Sequence, residues 1–151
     1  MAKTREEKFT LEPIRPEHAA ALTALAKDDK YSPVLGKGYE ENKKIAEAFS
    51  RSYPKACLIR NEQSKDVGIV VVEHAGNQHL EATLITDDKD LFADVLNQTI
   101  MEFKGKYKGI YITPMFPEAL VRVSLETRTK IAREKDFLDG TKSKEFKITL
   151  I

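Results

Sequence analysis

Apolar and polar residues alternate along several short stretches of the chain, which is typical of β-strands with one buried face. The alternation is clear over Phe9–Glu12 (FTLE) and over Leu80–Thr86 (LEATLIT). The run Val67–Val72 is apolar at nearly every position, as expected of a strand that is covered on both faces. Strands are therefore predicted over Phe9–Ile14, Ala56–Ile59, Val67–Val72, Leu80–Thr86, Ile110–Ile112 and Phe146–Leu150.

Other stretches carry apolar residues three and four positions apart, the spacing of a helix that packs on one face. The clearest helix is predicted over Asp88–Lys104, with Asp87 or Asp88 as its N-cap. A further helix is predicted to run unbroken over Glu118–Glu134. Its inward-facing residues are expected to be Leu120, Val121, Ser124, Leu125 and Ile131. Earlier in the chain, helices are predicted from Pro16 to Ala26 and over about Glu40–Ser52.

The resulting element order, β-α-α-β-β-β-α-β-α-β, predicts an α/β (α+β mixed) fold. Consecutive strands joined by polar turns should pair antiparallel, whereas the passage from Leu80 through Ile112 should be a right-handed parallel crossover. We therefore expect a mixed, mostly antiparallel sheet with helices on both faces. At 151 residues the chain is expected to form a single domain, 1–151, in which residues 1–8 are a polar leader.

Charge and cysteine content narrow the function classes. The 25 Lys and Arg residues nearly balance 24 Asp and Glu residues, so no global basic field attracts nucleic acid. Cys57 is the only cysteine, which excludes an internal disulfide and a multi-cysteine zinc site. The three histidines have no further ligand at motif spacing, so no metal site is predicted. No apolar run approaches the roughly 20 residues of a membrane span, and a cytoplasmic protein that contacts no membrane is expected.

The opening stretch Phe9–Leu22 (FTLEPIRPEHAAAL) joins a strand to a helix through an Ile-Arg-Pro step before an acidic residue. With the element order, it resembles the GCN5-related N-acetyltransferase (GNAT) family from Phe9 to Ile151. The resemblance implies that acetyl-CoA would bind where the central strand ends and the next helix begins. In that family, spaced glycines there expose backbone amides to the diphosphate.

The corresponding segment of this chain, Thr86–Leu91 (TDDKDL), contains no glycine and three carboxylates. Like charges about 4 Å apart repel by about 4 kcal/mol at an effective dielectric constant of 20, so these side chains oppose a diphosphate. Asp87 and Asp88 are therefore interpreted as helix caps. If a cofactor binds, its contacts are expected at Thr86, Asp87, Asp88 and Lys89.

The resemblance also implies where catalytic groups would lie. Glu81 in the central strand matches the position at which some members hold a general base, although a solvated polar residue fits the same alternation. The family's proton-donating tyrosine aligns with Ala132, so Tyr111 is the remaining candidate for the acid, unless it only packs in its strand. If the chain is an enzyme, Glu81 and Tyr111 are its expected catalytic residues.

Two hypotheses follow. The preferred one is a non-catalytic interaction or structural module with the GNAT shape and no cofactor. Short-tailed bacteriophages carry virion proteins that look like this fold with an eroded cofactor loop, so a virion or assembly component is expected, bound to a protein partner or to copies of itself. The alternative is a divergent acyl-CoA-dependent N-acyltransferase. In that case acetyl-CoA pairs with the edge of the Leu80–Thr86 strand.

Overall fold

The computed structural model describes residues 9–18, 20, 24, 53–133 and 145–150, which form one seven-stranded sheet and two α-helices. The strands are β1 (Phe9–Pro13), β2 (Lys55–Asn61), β3 (Asp66–Gly76), β4 (His79–Thr86), β5 (Gly109–Ile112), β6 (Lys130–Arg133) and β7 (Phe146–Thr149). The helices are α1 (Lys89–Phe103) and α2 (Leu120–Thr127), and short 3-10 turns lie at Pro16–His18 and Pro117–Ala119.

The sheet has the strand order β1-β2-β3-β4-β5-β7-β6. Only β4 and β5 pair in parallel, and α1 connects them; every other pair of strands is antiparallel. The predicted mixed, mostly antiparallel sheet and its parallel crossover are thus confirmed. The last strand, β7, inserts between β5 and β6, so it lies inside the sheet rather than at its edge.

Both described helices pack on one face of the sheet. Phe92, Leu96 and Ile100 of α1 are fully buried there against Leu84 and Ile110 of the central strands. The opposite face carries a second buried apolar set, formed by Leu58, Ile69, Val71 and Ile85. Within the described residues, no helix is long and apolar enough to cross a membrane.

Two of the predicted helices fall largely outside the described residues. The one from Pro16 to Ala26 is described at the Pro16–His18 turn and at the helical residues Ala20 and Ala24. The helix predicted over Glu40–Ser52 and the leader 1–8 lie outside the described residues.

The helix predicted over Glu118–Glu134 is wrong in its second half. α2 ends at Thr127 because Arg128 adopts a left-handed conformation (φ 56°), and β6 follows at once. The hydroxyl of Thr127 donates to the carbonyl of Val123, and Ser124 Oγ donates to the carbonyl of Thr129. These hydroxyl groups donate hydrogen bonds to carbonyl groups at the end of α2 and thereby favour the change from helix to strand.

The predicted inward face of α2 is also wrong in part. Leu120 is buried, but Val121 and Leu125 are 69% and 74% exposed, whereas Val123 and Thr127 point into the core. Because α2 is only two turns long, the residues that pack on α1 set its orientation. Val121 and Leu125 therefore lie on its outer side.

Candidate active site

All four residues of β5 pair with the first half of β4, and the second half of β4 extends beyond β5. The parallel ladder joins His79 to Gly109 and ends where Ala82 pairs with Ile112. Beyond it, Thr83–Thr86 remain paired to β3, while no described residue pairs with their other edge. Because peptide groups of a strand point alternately to its two edges, this stretch has backbone donors and acceptors without a described strand partner, although all four of its residues are buried.

The open stretch of β4 ends in a buried hydroxyl group. Thr86 is completely buried, and its Oγ1 has no hydrogen-bond partner among the described residues. Buried hydroxyl groups are rarely left unpaired, and an unpaired one marks a place where a ligand or water completes the bonding. Gly68 lies opposite Thr86 on β3, and a Cβ there would overlap the carbonyl oxygen of Ile85. The absence of a side chain at Gly68 thus permits the close approach of β3 to the end of β4.

The beginning of α1 is capped by its own sequence. Asp88 Oδ1 accepts hydrogen bonds from the backbone amides of Asp90 (2.7 Å) and Leu91 (3.1 Å), as the predicted N-cap requires. Asp87 and Lys89 are exposed on either side of Asp88. The structure thus brings the four candidate cofactor contacts together at the end of β4, with two of the helix's first amides already occupied.

A row of polar side chains crosses the sheet face opposite α1. Register places Glu81 of β4 beside Tyr111 of β5, and Tyr111 beside Lys147 of β7. The ring of His79 lies 5.4 Å from that of Tyr111, and Lys147 Nζ lies 5.9 Å from the centroid of the Tyr111 ring. All four side chains are half-buried. The structure therefore places both predicted catalytic residues side by side, one position before the ladder between β4 and β5 ends.

Two members of the row, His79 and Lys147, were missed from the sequence. Lys147 lies 66 positions after Glu81, and only the insertion of β7 beside β5 brings it into the row. His79 follows a bulge between β3 and β4, which makes its face unpredictable from alternation alone.

His74 and Cys57 do not extend the site. His74 and His79 lie on opposite faces, since His74 pairs with the core residue Leu80 and contacts Tyr107. No group of three potential ligands for a metal occurs among the described residues. Burial raises the pKa of the Cys57 thiol, the nearby Lys55 ammonium opposing the shift, so this side chain is not an activated nucleophile.

A charged cluster occupies the outer side of α1. Arg122 of α2 contacts Asp90 (3.2 Å), the buried Asp94 (2.8 Å) and Glu126 (2.6 Å). Burial lowers the pKa of Arg122, but the hydrogen bond that its guanidinium donates to Glu126 and the charges of the three carboxylates outweigh that effect, so the net shift of the pKa is upward. The cluster joins the two helices and borders a cavity of about 320 Å³ lined by Asn61, Glu62, Gln63, Asp88, Asp90, Leu91 and Asp94.

Comparison by sequence finds no matching family model and no matching curated protein. Comparison by structure finds several similar proteins. A GNAT-family acetyltransferase from Staphylococcus aureus Mu50 has a TM-score of 0.65 and 14% identity, covering 93% of this chain and 98% of that one. Spermidine N-acetyltransferase from Vibrio cholerae, solved with CoA and spermine, has a TM-score of 0.63 and 12% identity, covering 95% and 94%.

The microcin C7 self-immunity acetyltransferase, solved with acetyl-CoA and AMP, has a TM-score of 0.58 and 16% identity, covering 95% and 92% of the two chains. The Vibrio enzyme has also been solved as a dodecamer. The chain has the GNAT fold. This confirms the resemblance in its topology, and at these identities it is the fold that the comparisons establish.

The comparisons overturn the preferred functional hypothesis. A non-catalytic module of a phage particle without a cofactor is wrong, because these GNAT-fold neighbours are acetyltransferases and two of them hold CoA or acetyl-CoA. The edge of Thr83–Thr86 that has no described strand partner does not depend on glycines in Thr86–Leu91, and it is present here.

Proposed function

We propose that this chain is an acyl-CoA-dependent N-acyltransferase whose reaction takes place where β4 extends beyond the end of β5. The observation that carries the proposal is the in-register pair Glu81–Tyr111, one position before the ladder ends at Ala82 and Ile112. A carboxylate and a phenol are thereby held beside an open strand edge. A cytoplasmic location is part of the proposal and agrees with the single unpaired thiol of Cys57.

The residues present fit the pantetheine arm of CoA, which contains two amide groups. The open edge of Thr83–Thr86 would bind those amides as a neighbouring strand does, and the unpartnered Thr86 Oγ1 would complete its hydrogen bonding. Binding of the diphosphate of CoA would depend on the ammonium of Lys89, because the side chain of Asp88 already accepts hydrogen bonds from the amides of Asp90 and Leu91. Asp87 and Asp88 would have to point away from the diphosphate.

A bound acyl-CoA supplies an acyl group activated as a thioester. Glu81 is positioned to accept the proton that an ammonium group must lose before its nitrogen attacks the acyl carbon. A carbon–nitrogen bond forms, the carbon–sulfur bond breaks, and the nitrogen gives up a second proton, which balances the proton gained by the departing sulfur. Tyr111, on the neighbouring strand, is positioned to donate a proton to the departing sulfur. The half-buried position of both side chains limits competition from water.

The proposal predicts that acetyl-CoA stabilises the folded protein. A ligand at 100 times its dissociation constant adds about 2.7 kcal/mol, which thermal unfolding followed by circular dichroism detects as a rise in Tm. Replacing Thr86 with Val keeps the shape but removes the hydroxyl, so the rise should be smaller than in the wild type. A matched control, Thr99→Val on α1, loses a hydroxyl that donates to the carbonyl of Val95 and should leave the ligand-induced rise intact. An unchanged Tm at millimolar acetyl-CoA would contradict the proposal.

We further propose that the chain forms a homo-oligomer, as the Vibrio cholerae neighbour does. The exposed pair Val121 and Leu125, one helical turn apart on α2, supplies apolar surface suited to a contact between copies. Sedimentation velocity should give a mass that is a multiple of 17.1 kDa, and the double variant Val121→Glu, Leu125→Glu should reduce it. A single-chain mass for the wild type at micromolar concentration would contradict this prediction.

A further inference from the structure

The polar row carries opposite charges at its two ends. Glu81 lies on β4 and Lys147 on β7, with the ring of Tyr111 on β5 between them. Because neighbouring strands lie about 4.8 Å apart, the two charged residues are separated by roughly 10 Å at their backbones. A small ligand lying on the Tyr111 ring would therefore meet a carboxylate at one end and an ammonium at the other.

The position of Lys147 depends on Gly109, which has no side chain to occupy the space beside it. A Cβ on Gly109 would lie 3.4 Å from Lys147 Cε and 3.1 Å from His79 Cδ2, so both neighbouring side chains occupy the space above this glycine. Lys147 Nζ then lies 5.9 Å from the centroid of the Tyr111 ring. Within the described residues Lys147 forms no ion pair, although it is half-buried. A half-buried cation without a counter-ion favours an anionic ligand group.

On the basis of the proposed acyl transfer, we propose that the acceptor is a small amine that also carries a carboxylate, a free amino acid or a close relative. Its ammonium would approach Glu81, its carboxylate would pair with Lys147, and its aliphatic part would lie on Tyr111. The single positive charge of the Lys147 ammonium matches the single negative charge of a carboxylate. Lys147 is thus a specificity-determining residue.

The test compares amines that differ only by a carboxylate: ornithine with putrescine, and lysine with cadaverine. With acetyl-CoA as donor, at least one of the two pairs should show a preference for the amino acid. In that pair kcat/KM for the amino acid should be at least about tenfold higher than for the diamine, a difference of about 1.4 kcal/mol. The variant Lys147→Met should remove this preference, so that the ratio of the two kcat/KM values falls to within about threefold of one, because only the amino acid loses a partner for its carboxylate. The control Lys106→Met, in the exposed turn after α1, should keep the preference.

A diamine used as well as its amino acid by the wild type, or a preference that survives in Lys147→Met, would overturn the inference while leaving acyl transfer intact. If acetyl-CoA neither binds nor reacts with any of the four amines, acyl transfer itself fails. Equilibrium dialysis with radiolabelled ornithine and lysine then tests amino-acid binding independently of acyl transfer. Retention of either one by the wild type but not by Lys147→Met supports the site, and equal retention, or none, rejects it.

Discussion

Replacing Glu81 with Gln is expected to lower the rate of acyl transfer by a factor of about 10² to 10⁴, the usual contribution of a positioned general base. The amide keeps the size and hydrogen-bonding capacity of the side chain but cannot take up a proton near neutral pH. The loss should therefore appear in kcat, measured by CoA release with saturating amine, while the Tm of the variant stays close to that of the wild type. Glu81 is half-buried on the sheet face, so no core packing is lost.

The matched control is Glu73→Gln. Glu73 is the cross-strand neighbour of Glu81 on β3 and lies on the same face, but it is one strand further from Tyr111. This variant changes the same charge by the same chemistry and is expected to keep kcat within about threefold. If the two variants lose activity equally, the carboxylates act only through the local electrostatic field, and the role of Glu81 as the base is wrong.

Replacing Gly68 with Ala is expected to destabilise the protein by roughly 3 kcal/mol, the upper range for forcing a methyl group into filled space. The added carbon would overlap the carbonyl oxygen of Ile85 and lie 3.0 Å from the Cα of Thr86. Both are backbone atoms, so no side-chain rotation relieves the overlap, and β3 must move away from β4. For a chain of this length the Tm should fall by roughly 10 °C, as measured by thermal unfolding.

Gly76→Ala serves as the comparison at the other end of the same strand. Gly76 has a positive φ (84°) but open space around its Cβ position, so its replacement costs only the backbone strain of about 1 kcal/mol. A loss at Gly68 no greater than the loss at Gly76 would show that the two strands do not need their close approach. The end of β4 would then be free to move, and the buried position of Thr86 would not be fixed by its neighbour.

The elements with strong periodicity could be predicted from the sequence, because burial on one face leaves a direct trace in it. The alternation of β4 and the one-sided apolar stripe of α1 predict both elements to within a residue or two, and of the two predicted caps, Asp87 and Asp88, it is Asp88 that caps the helix. The end of α2 could not be predicted. Its sequence continues with apolar residues at helical spacing, and the stop depends on Arg128 adopting φ 56° and on hydroxyl bonds that form only in the folded chain.

The candidate site was predictable only where it lies on one continuous segment. Glu81 and the Thr86–Lys89 stretch sit on β4 and the start of α1, and the resemblance pointed to them directly. The pairing of Tyr111 with Glu81 requires the register of a parallel ladder, and the contribution of Lys147 requires the strand order. Neither is encoded in local spacing, because pairing partners far apart in the chain are selected by the packing of the whole sheet.

The interior position of β7 has a consequence for synthesis of the chain. During translation β5 and β6 emerge before β7, and the gap between them cannot close until Phe146–Thr149 have left the ribosome. Until then the backbone of β5 is an unprotected edge, able to pair with the strands of other nascent chains. Lys130 and Arg133 at the ends of β6 put like charges beside that gap, which discourages such pairing at the stage when the chain is most prone to aggregate.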